Sequence, residues 1–282
     1  MIEISKLFFQ SDLENTFYGN LFIMPEIPDL QAFRLNLSKK LVGKKVEKIN
    51  ATYKKRLKTG EKDLQSSLEG ATLLSVYREG KELHLSFDNG NVLALHMMLK
   101  GQLHLFHEKN DARFTIIELI FNDRTGLAMT DFQRQATPTL NPVPREAPDA
   151  LSNTVNFKFL KEKLNNSKAA VKKVLMDQQV IRGIGNAYAD EILWHAQISP
   201  FSISNKIPDE SLKVLAKSIK SVLKQAEKKI LTANPEIISG ETRDFVAVHH
   251  AKKEKSPTGA KILIDTSGGR KTYYTREQKL FK

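Results

Sequence analysis

The stretch that decides the fold is Val174-Leu-Met-Asp-Gln-Gln-Val-Ile-Arg-Gly-Ile-Gly-Asn-Ala-Tyr-Ala-Asp-Glu-Ile-Leu-Trp-His-Ala-Gln-Ile-Ser-Pro200. Leu175 and Met176 close one helical segment, and Gly183-Ile184-Gly185-Asn186 interrupts it. Ala187, Tyr188, Ile192, Leu193 and Ala196 resume helical spacing, with Glu191 read in the new first turn. Two glycines at alternate positions permit a tight turn that other residues resist. Asn186 stands where a helix N-cap is expected, followed by backbone N–H groups with no acceptor inside the helix. Such an end is a ready seat for phosphate. A dinucleotide-binding turn would need a preceding strand and a third glycine, and Tyr188 occupies the third position. A plain helix–turn–helix connection is the remaining alternative.

Outward from this stretch, the totals constrain the class. The chain has 282 residues, enough for two domains, and its 44 Lys and Arg against 32 Asp and Glu leave a net charge of +12. That excess favours a polyanionic partner over a scattered basic surface. No cysteine is present, which excludes disulfides and thiolate zinc sites. No apolar run is long enough to span a bilayer, so no membrane partner is expected. Glu3, Lys6, Asp12 and Glu14 interrupt any secretory apolar region, and a cytoplasmic protein is expected.

Residues 1–23 are apolar in part but carry no period or cap; they read either as a docking arm or as sequence upstream of a start at Met24. After Pro28, Leu30, Phe33, Leu37 and Leu41 recur at helical spacing, and Gly43 suits the stop. Short β-rich runs are expected from about 46, then over 73–77, 83–87, 92–96, 103–106, 114–121 and 127–130. Asp88-Asn89-Gly90 signals a hairpin. These predict an antiparallel sandwich with a helix at its start. Four prolines between 137 and 150 read as an interdomain linker. Helices are expected over 157–164, 168–178, 187–195 and 210–231, the last with Lys213, Lys217, Lys220, Lys224 and Lys228 on a solvated face. Ile262, Ile264, Tyr273 and Tyr274 predict a terminal hairpin turning at Gly268-Gly269. His249 and His250 read as partnerless, with no metal there.

Lys172, Leu175-Met176-Asp177-Gln178, Gly183-Ile184-Gly185-Asn186-Ala187-Tyr188-Ala189, Glu191 and Pro200 together resemble the helix–two-turn–helix segment of the formamidopyrimidine-DNA glycosylase/endonuclease VIII family. Met24-Pro25-Glu26-Ile27-Pro28-Asp29 resembles the family's Met-Pro-Glu-x-Pro-Glu opening, with the last acid shortened. His96 to Gly101 resembles its His-x-x-(Met or Leu)-x-Gly loop, and Gly269-Arg270-Lys271-Thr272-Tyr273-Tyr274-Thr275-Arg276 its terminal finger. The likeness runs from Met24 to the C-terminus.

The resemblance implies an α+β fold. An N-terminal antiparallel β-sandwich with a flanking helix (24–136) would be joined by a linker (137–150) to a helix–two-turn–helix domain (151–243). A hairpin finger (244–282) would end it. That finger would be zincless, because Ser256, Thr258, Thr275 and Gln278 stand in the region of the family's four cysteines. The implied activity is base-excision repair: a bifunctional DNA glycosylase and abasic-site lyase. Its partner would be double-stranded DNA with a damaged base, and it would be a monomer, bound to the nucleoid when working, with no cofactor and no metal.

The catalytic residues would be Pro25 as nucleophile, Glu26 as acid, Lys81 toward the scissile phosphate and Arg270 at the phosphate beside the lesion. DNA would be held by Leu99 as the wedge filling the emptied stack, by Arg134, by Lys172 and by Asn186. Asp131-Phe132-Gln133-Arg134-Gln135 departs from the family's Asp-Pro-Arg-Arg-Phe, which weakens a reading of cytosine opposite 8-oxoguanine. Little room remains after Phe245 for a lesion-capping loop, which favours oxidised pyrimidines or ring-opened purines.

A secondary amine attacks only when neutral, and a chain-terminal amine, with a reference pKa of roughly 8, is better placed than lysine. Pro25 inside a longer chain is an amide. The implied chemistry therefore requires residues 1–24 to be absent from the working protein. If they stay, the alternative is a noncatalytic binder of damaged DNA. A structural RNA-binding protein is a third reading, since the helix–two-turn–helix also occurs in a ribosomal protein.

Overall fold

The computed structural model describes residues 24–282, and the readings of residues 1–23 fall outside it. The first helix, α1 (Ile27–Leu41), has Pro28 in its opening turn, where a missing N–H costs nothing. It ends before Gly43, whose φ of +87° an L-residue resists. Leu30, Phe33, Leu37 and Leu41 are its buried stripe.

Two four-stranded antiparallel sheets form the N-terminal half. The first contains β1 (Val46–Ala51), β5 (Gln102–His107), β6 (Thr115–Phe121) and β7 (Thr125–Thr130), in the order β1-β6-β7-β5. The second contains β2 (Leu73–Glu79), β3 (Glu82–Phe87), β4 (Val92–His96) and β8 (Thr137–Leu140), in the order β2-β3-β4-β8. One core between them joins Phe87, Leu85 and Leu93 to Ile49, Leu119 and Phe121, and α1 packs into it. A short helix that the sequence reading missed, α2 (Glu61–Leu68), contributes Leu64 and Leu68 to the same core. With two apolar positions in eight residues, its period is too brief to register.

The stretch read as linker begins instead with β8. Pro138 has no N–H to give a ladder, so it is tolerated because β8 lies at the sheet edge against β4. The connection without strand or helix is thus 141–156.

The second half is helical, with α3 (Phe157–Asn165), α4 (Val171–Met176), α5 (Asn186–His195) and α6 (Asp209–Ala233). Asn156 caps α3 through the Phe159 N–H. The segment expected as helix over 168–178 is only the short α4, because Ala170 and Asp177 both take extended backbone. Leu212, Leu215, Ile219, Leu223 and Ile230 of α6 are buried, several of them against Ile192 and Leu193 of α5. Of the lysines read as a solvated face, Lys220 departs: its Nζ donates to the Ala150 and Ser152 carbonyls. Burial pulls its pKa down to about 8, Asp149 opposing. The chain ends in the expected hairpin of β9 (Leu263–Asp265) and β10 (Thr272–Tyr274). No helix among the described residues is long and apolar enough to cross a membrane.

Candidate functional site

The two halves meet along a cleft of about 740 Å³. Glu26, Lys81, Leu99, Asn186 and Arg270, five residues singled out from the sequence, line it together. Each is delivered by a different element, so the convergence is a property of the fold.

Glu26 stands just before α1. It is 2% exposed, and its carboxylate lies on the N-terminus of α5. Oε2 accepts the Gly185 N–H at 2.8 Å and the Tyr188 N–H at 3.3 Å, and Oε1 accepts the Ala187 N–H at 2.9 Å. The orphan donors that the sequence offers to phosphate are taken by the chain's own acid. Gly185, not Asn186, occupies the cap position, and its side-chain-free face is what lets the carboxylate approach. A Cβ there would lie 2.3 Å from the Glu26 carboxyl carbon. Gly183, at φ +102°, makes the turn and leaves room for Ile27. Asn186 is the first helical residue instead; its Nδ2 donates to the Lys271 carbonyl at 3.0 Å and its buried Oδ1 has no partner among the described residues.

Pro25 precedes this acid and is buried. Asp29 reaches back from the first turn of α1, where its Oδ2 accepts the Glu26 N–H at 3.0 Å. Asp29 is in turn gripped by Arg243, whose guanidinium donates to Oδ1 at 2.8 Å and Oδ2 at 2.6 Å and to the Tyr188 hydroxyl at 3.1 Å.

Lys81 sits on the β2–β3 turn behind Gly80, whose φ is +58°. Burial holds its ammonium below the usual lysine range, Glu26 opposes that, and Arg270 adds to it. The turn is fixed to the second half of the molecule. Asp149 accepts both Arg78 Nη groups, at 2.5 and 2.8 Å, and the Gly80 N–H at 2.9 Å. Arg182 pairs with Glu79 at 3.0 Å. Leu99 is 47% exposed at the cleft edge. Its loop is pinned by buried Met97 and by the Gly101 N–H to Met97 carbonyl bond of 2.8 Å.

Arg134 and Lys172 do not line this cleft. Arg134 projects from the turn that Asp131 organises through the Gln133, Gln135 and Ala136 N–H groups, and its guanidinium stacks 4.8 Å over Tyr53. Lys172 is 7% exposed and pairs with buried Asp190 at 2.7 Å, its Nζ also donating to Thr272 Oγ1 at 2.9 Å. It borders a neighbouring groove of about 580 Å³ with Asn186, Phe201 and Arg270.

Around α5, Glu191 and His249 differ from their sequence reading. Glu191 is not in the first turn; its carboxylate accepts the Ala247, Val248 and His249 N–H groups and so pins the tail. His249 is not partnerless: its Nδ1 lies 2.7 Å from Asp190 Oδ2, which also accepts the Tyr273 N–H at 2.9 Å. Adjacent acids inside an apolar helix were the available signal, since buried carboxylates need partners.

At the finger, hydroxyls and an amide stand in the cysteine region. Ser256 Oγ and Thr258 Oγ1 share a bond of 2.7 Å, and Thr258 Oγ1 donates to Glu277 at 2.8 Å. Gln278 accepts the Thr275 N–H and donates to the Ile198 carbonyl. Among the described residues no group of His, Asp or Glu is placed to hold a metal ion.

Residues 24–137 match the family model described as the formamidopyrimidine-DNA glycosylase N-terminal domain, and residues 147–234 match that of its H2TH domain. The chain is 31% identical over 274 residues to a formamidopyrimidine-DNA glycosylase of Lactococcus lactis subsp. cremoris, covering 89% of this chain and 97% of the relative. It is 28% identical to one from Arabidopsis thaliana, covering 92% of this chain and 72% of that protein. Among solved structures, the Lactococcus lactis enzyme bound non-covalently to DNA with an abasic site superposes with a TM-score of 0.80. That match has 27% identity and spans 90% of this chain and all of the other. A complex of the same enzyme with DNA containing an oxidised pyrimidine matches at 0.80, with 27% identity, 89% of this chain and 98% of that one.

Proposed function

The chain belongs to the formamidopyrimidine-DNA glycosylase family, and from that premise we propose that it is a DNA glycosylase and abasic-site lyase whose nucleophile is the amine of Pro25. The observation that carries this reading is the Glu26 carboxylate, fixed on the α5 N-terminus in the same cleft as Lys81 and Arg270. A buried acid directly after the reacting residue, with cations across from it, suits attack on a sugar between phosphates.

The Pro25 nitrogen attacks C1′ of a nucleotide turned out of the helix. The C1′–base bond breaks, its electron pair leaves with the base, and solvent supplies the base's proton. Glu26 takes the proton from the new ammonium and passes it to the ring oxygen as the C1′–O4′ bond opens, leaving an iminium ion. That ion acidifies C2′; loss of the C2′ proton expels the 3′-phosphate. Lys81 and Arg270 meet the phosphate charge. Leu99 fills the vacated stack, and Arg134 holds the backbone beyond it. Asn186 and Lys172 act less directly, joining the helical half to the hairpin that carries Arg270.

The amine requires Pro25 as the first residue, produced by initiation at Met24 and removal of that methionine. Protein beginning at Pro25 should form a borohydride-stable adduct with duplex DNA bearing an oxidised pyrimidine, and the adduct should map to Pro25. Absence of an adduct, or one attached elsewhere, sinks the reading. The substrate is damaged DNA, the cofactor requirement none, and the working form a monomer in the compartment that holds the chromosome.

A further inference from the structure

We infer that Arg243 is a positioning residue for the reacting nitrogen, fixing the Pro25–Glu26 peptide through Asp29 and cancelling the Asp29 charge beside the amine. The inference rests on the reading of Pro25 as N-terminal nucleophile.

Three parts of the chain, far apart in sequence, meet here. Asp29 is fully buried, Tyr188 is 1% exposed and Arg243 is 8% exposed. The ring of Pro25 fixes one backbone torsion. Asp29 fixes the next peptide plane by accepting the Glu26 N–H. Arg243 holds both Asp29 oxygens in a fork, which sets the carboxylate plane and therefore the direction of that bond. Only the torsion between ring and peptide is left to aim the lone pair.

The charge balance matters as much as the geometry. The groups around the Pro25–Glu26 turn are Glu26 and Asp29 from α1 and its cap, Lys81 from the β2–β3 turn, Tyr188 from α5, and Lys172 from α4, whose charge is paired with Asp190. Glu241 and Arg243 come from the segment after α6, and Arg270 from the hairpin. Without Arg243 the Asp29 carboxylate, which accepts the Glu26 N–H next to the amine, would have no cation paired with it among the described residues. Negative charge within a few ångströms stabilises a protonated amine and lowers the neutral fraction that can attack.

The test uses full-length protein from Pro25 onward. It measures the rate of borohydride-trapped adduct formation on abasic-site duplex from about pH 5 to pH 9, with affinity for an uncleavable abasic analogue and thermal melting recorded alongside. Arg243→Met should shift the acid limb of the rate profile upward by about one pH unit, slow the reaction about tenfold on that limb, and leave affinity within about twofold. Arg243→Lys should return the limb most of the way. Asp29→Asn, which keeps the cation and removes the anion, should shift the limb the other way, so a Met variant that fails to melt cooperatively does not end the test. Limbs unmoved in both Asp29→Asn and whichever Arg243 variant folds would overturn the positioning role alone. No adduct from the unsubstituted protein at any pH would overturn the nucleophile reading on which it rests.

Discussion

A methyl group on Gly185 would lie 2.3 Å from the Glu26 carboxyl carbon, closer than any real contact. Gly185→Ala should therefore push the acid off the helix end while the fold persists. A displacement of about 1 Å at a reacting group costs roughly a hundredfold in rate. We expect that loss in single-turnover base release, with the melting temperature changed far less. Glu241 gives the clearest pH signature. Burial pushes its carboxyl up to about 7, with Arg243 opposing. Between the usual glutamate range and that value the folded state binds the extra proton, so stability should fall as pH rises through this window. The decline is up to roughly 3 kcal/mol, and Glu241→Gln should flatten it in denaturant titrations at pH near 5 and near 8. At this scale the sequence was legible where residues stand in short distinctive runs: Glu26 and Arg270, each in one, both line the cleft. Asp29–Arg243 was not legible, because the partners lie 214 positions apart and nothing local marks the arginine.

Among elements, α5 is the pivot. Its N-terminus receives Glu26, and its Asp190 and Glu191 hold the hairpin and the tail. Lys172→Met would strip the lysine from buried Asp190 and leave it His249 and the Tyr273 N–H, both on Oδ2. Losing the buried ion pair should cost on the order of 3 kcal/mol, visible as a lower melting temperature, with hydrogen exchange rising first in β9 and β10. The glycine-rich break in this region was readable because Gly183 and Gly185 each serve a distinct steric need. The identity of the anion at the helix end was not readable: Glu26 arrives from another half of the chain, so the sequence left the seat open for a phosphate. Likewise β8 was hidden by Pro138, whose cost depends on edge placement that only the assembled sheet reveals.

For the molecule as a whole, the net charge of +12 and the cleft between halves predict binding of duplex DNA that weakens steeply with salt. The logarithm of the binding constant should fall linearly with the logarithm of salt concentration. Arg270→Ala should reduce that slope by about one. Chelators should leave melting and strand cleavage unchanged, because Ser256, Thr258, Thr275, Glu277 and Gln278 tie the finger with hydrogen bonds. The two-part architecture was evident from the shift of strand to helix periodicity. The latch across it, Arg78 with Asp149 and Glu79 with Arg182, was invisible because ion pairs leave no period.

The acid seated on α5 has a consequence for how this chain is divided. Severed in the loop after Leu140, the helical piece would turn the amide hydrogens of Gly185, Ala187 and Tyr188 to water, and the sandwich piece would carry the Glu26 carboxylate without its seat. Each piece holds the missing half of the other's bond. Mixed in one tube, the two fragments should recombine and regain strand cleavage that neither shows alone.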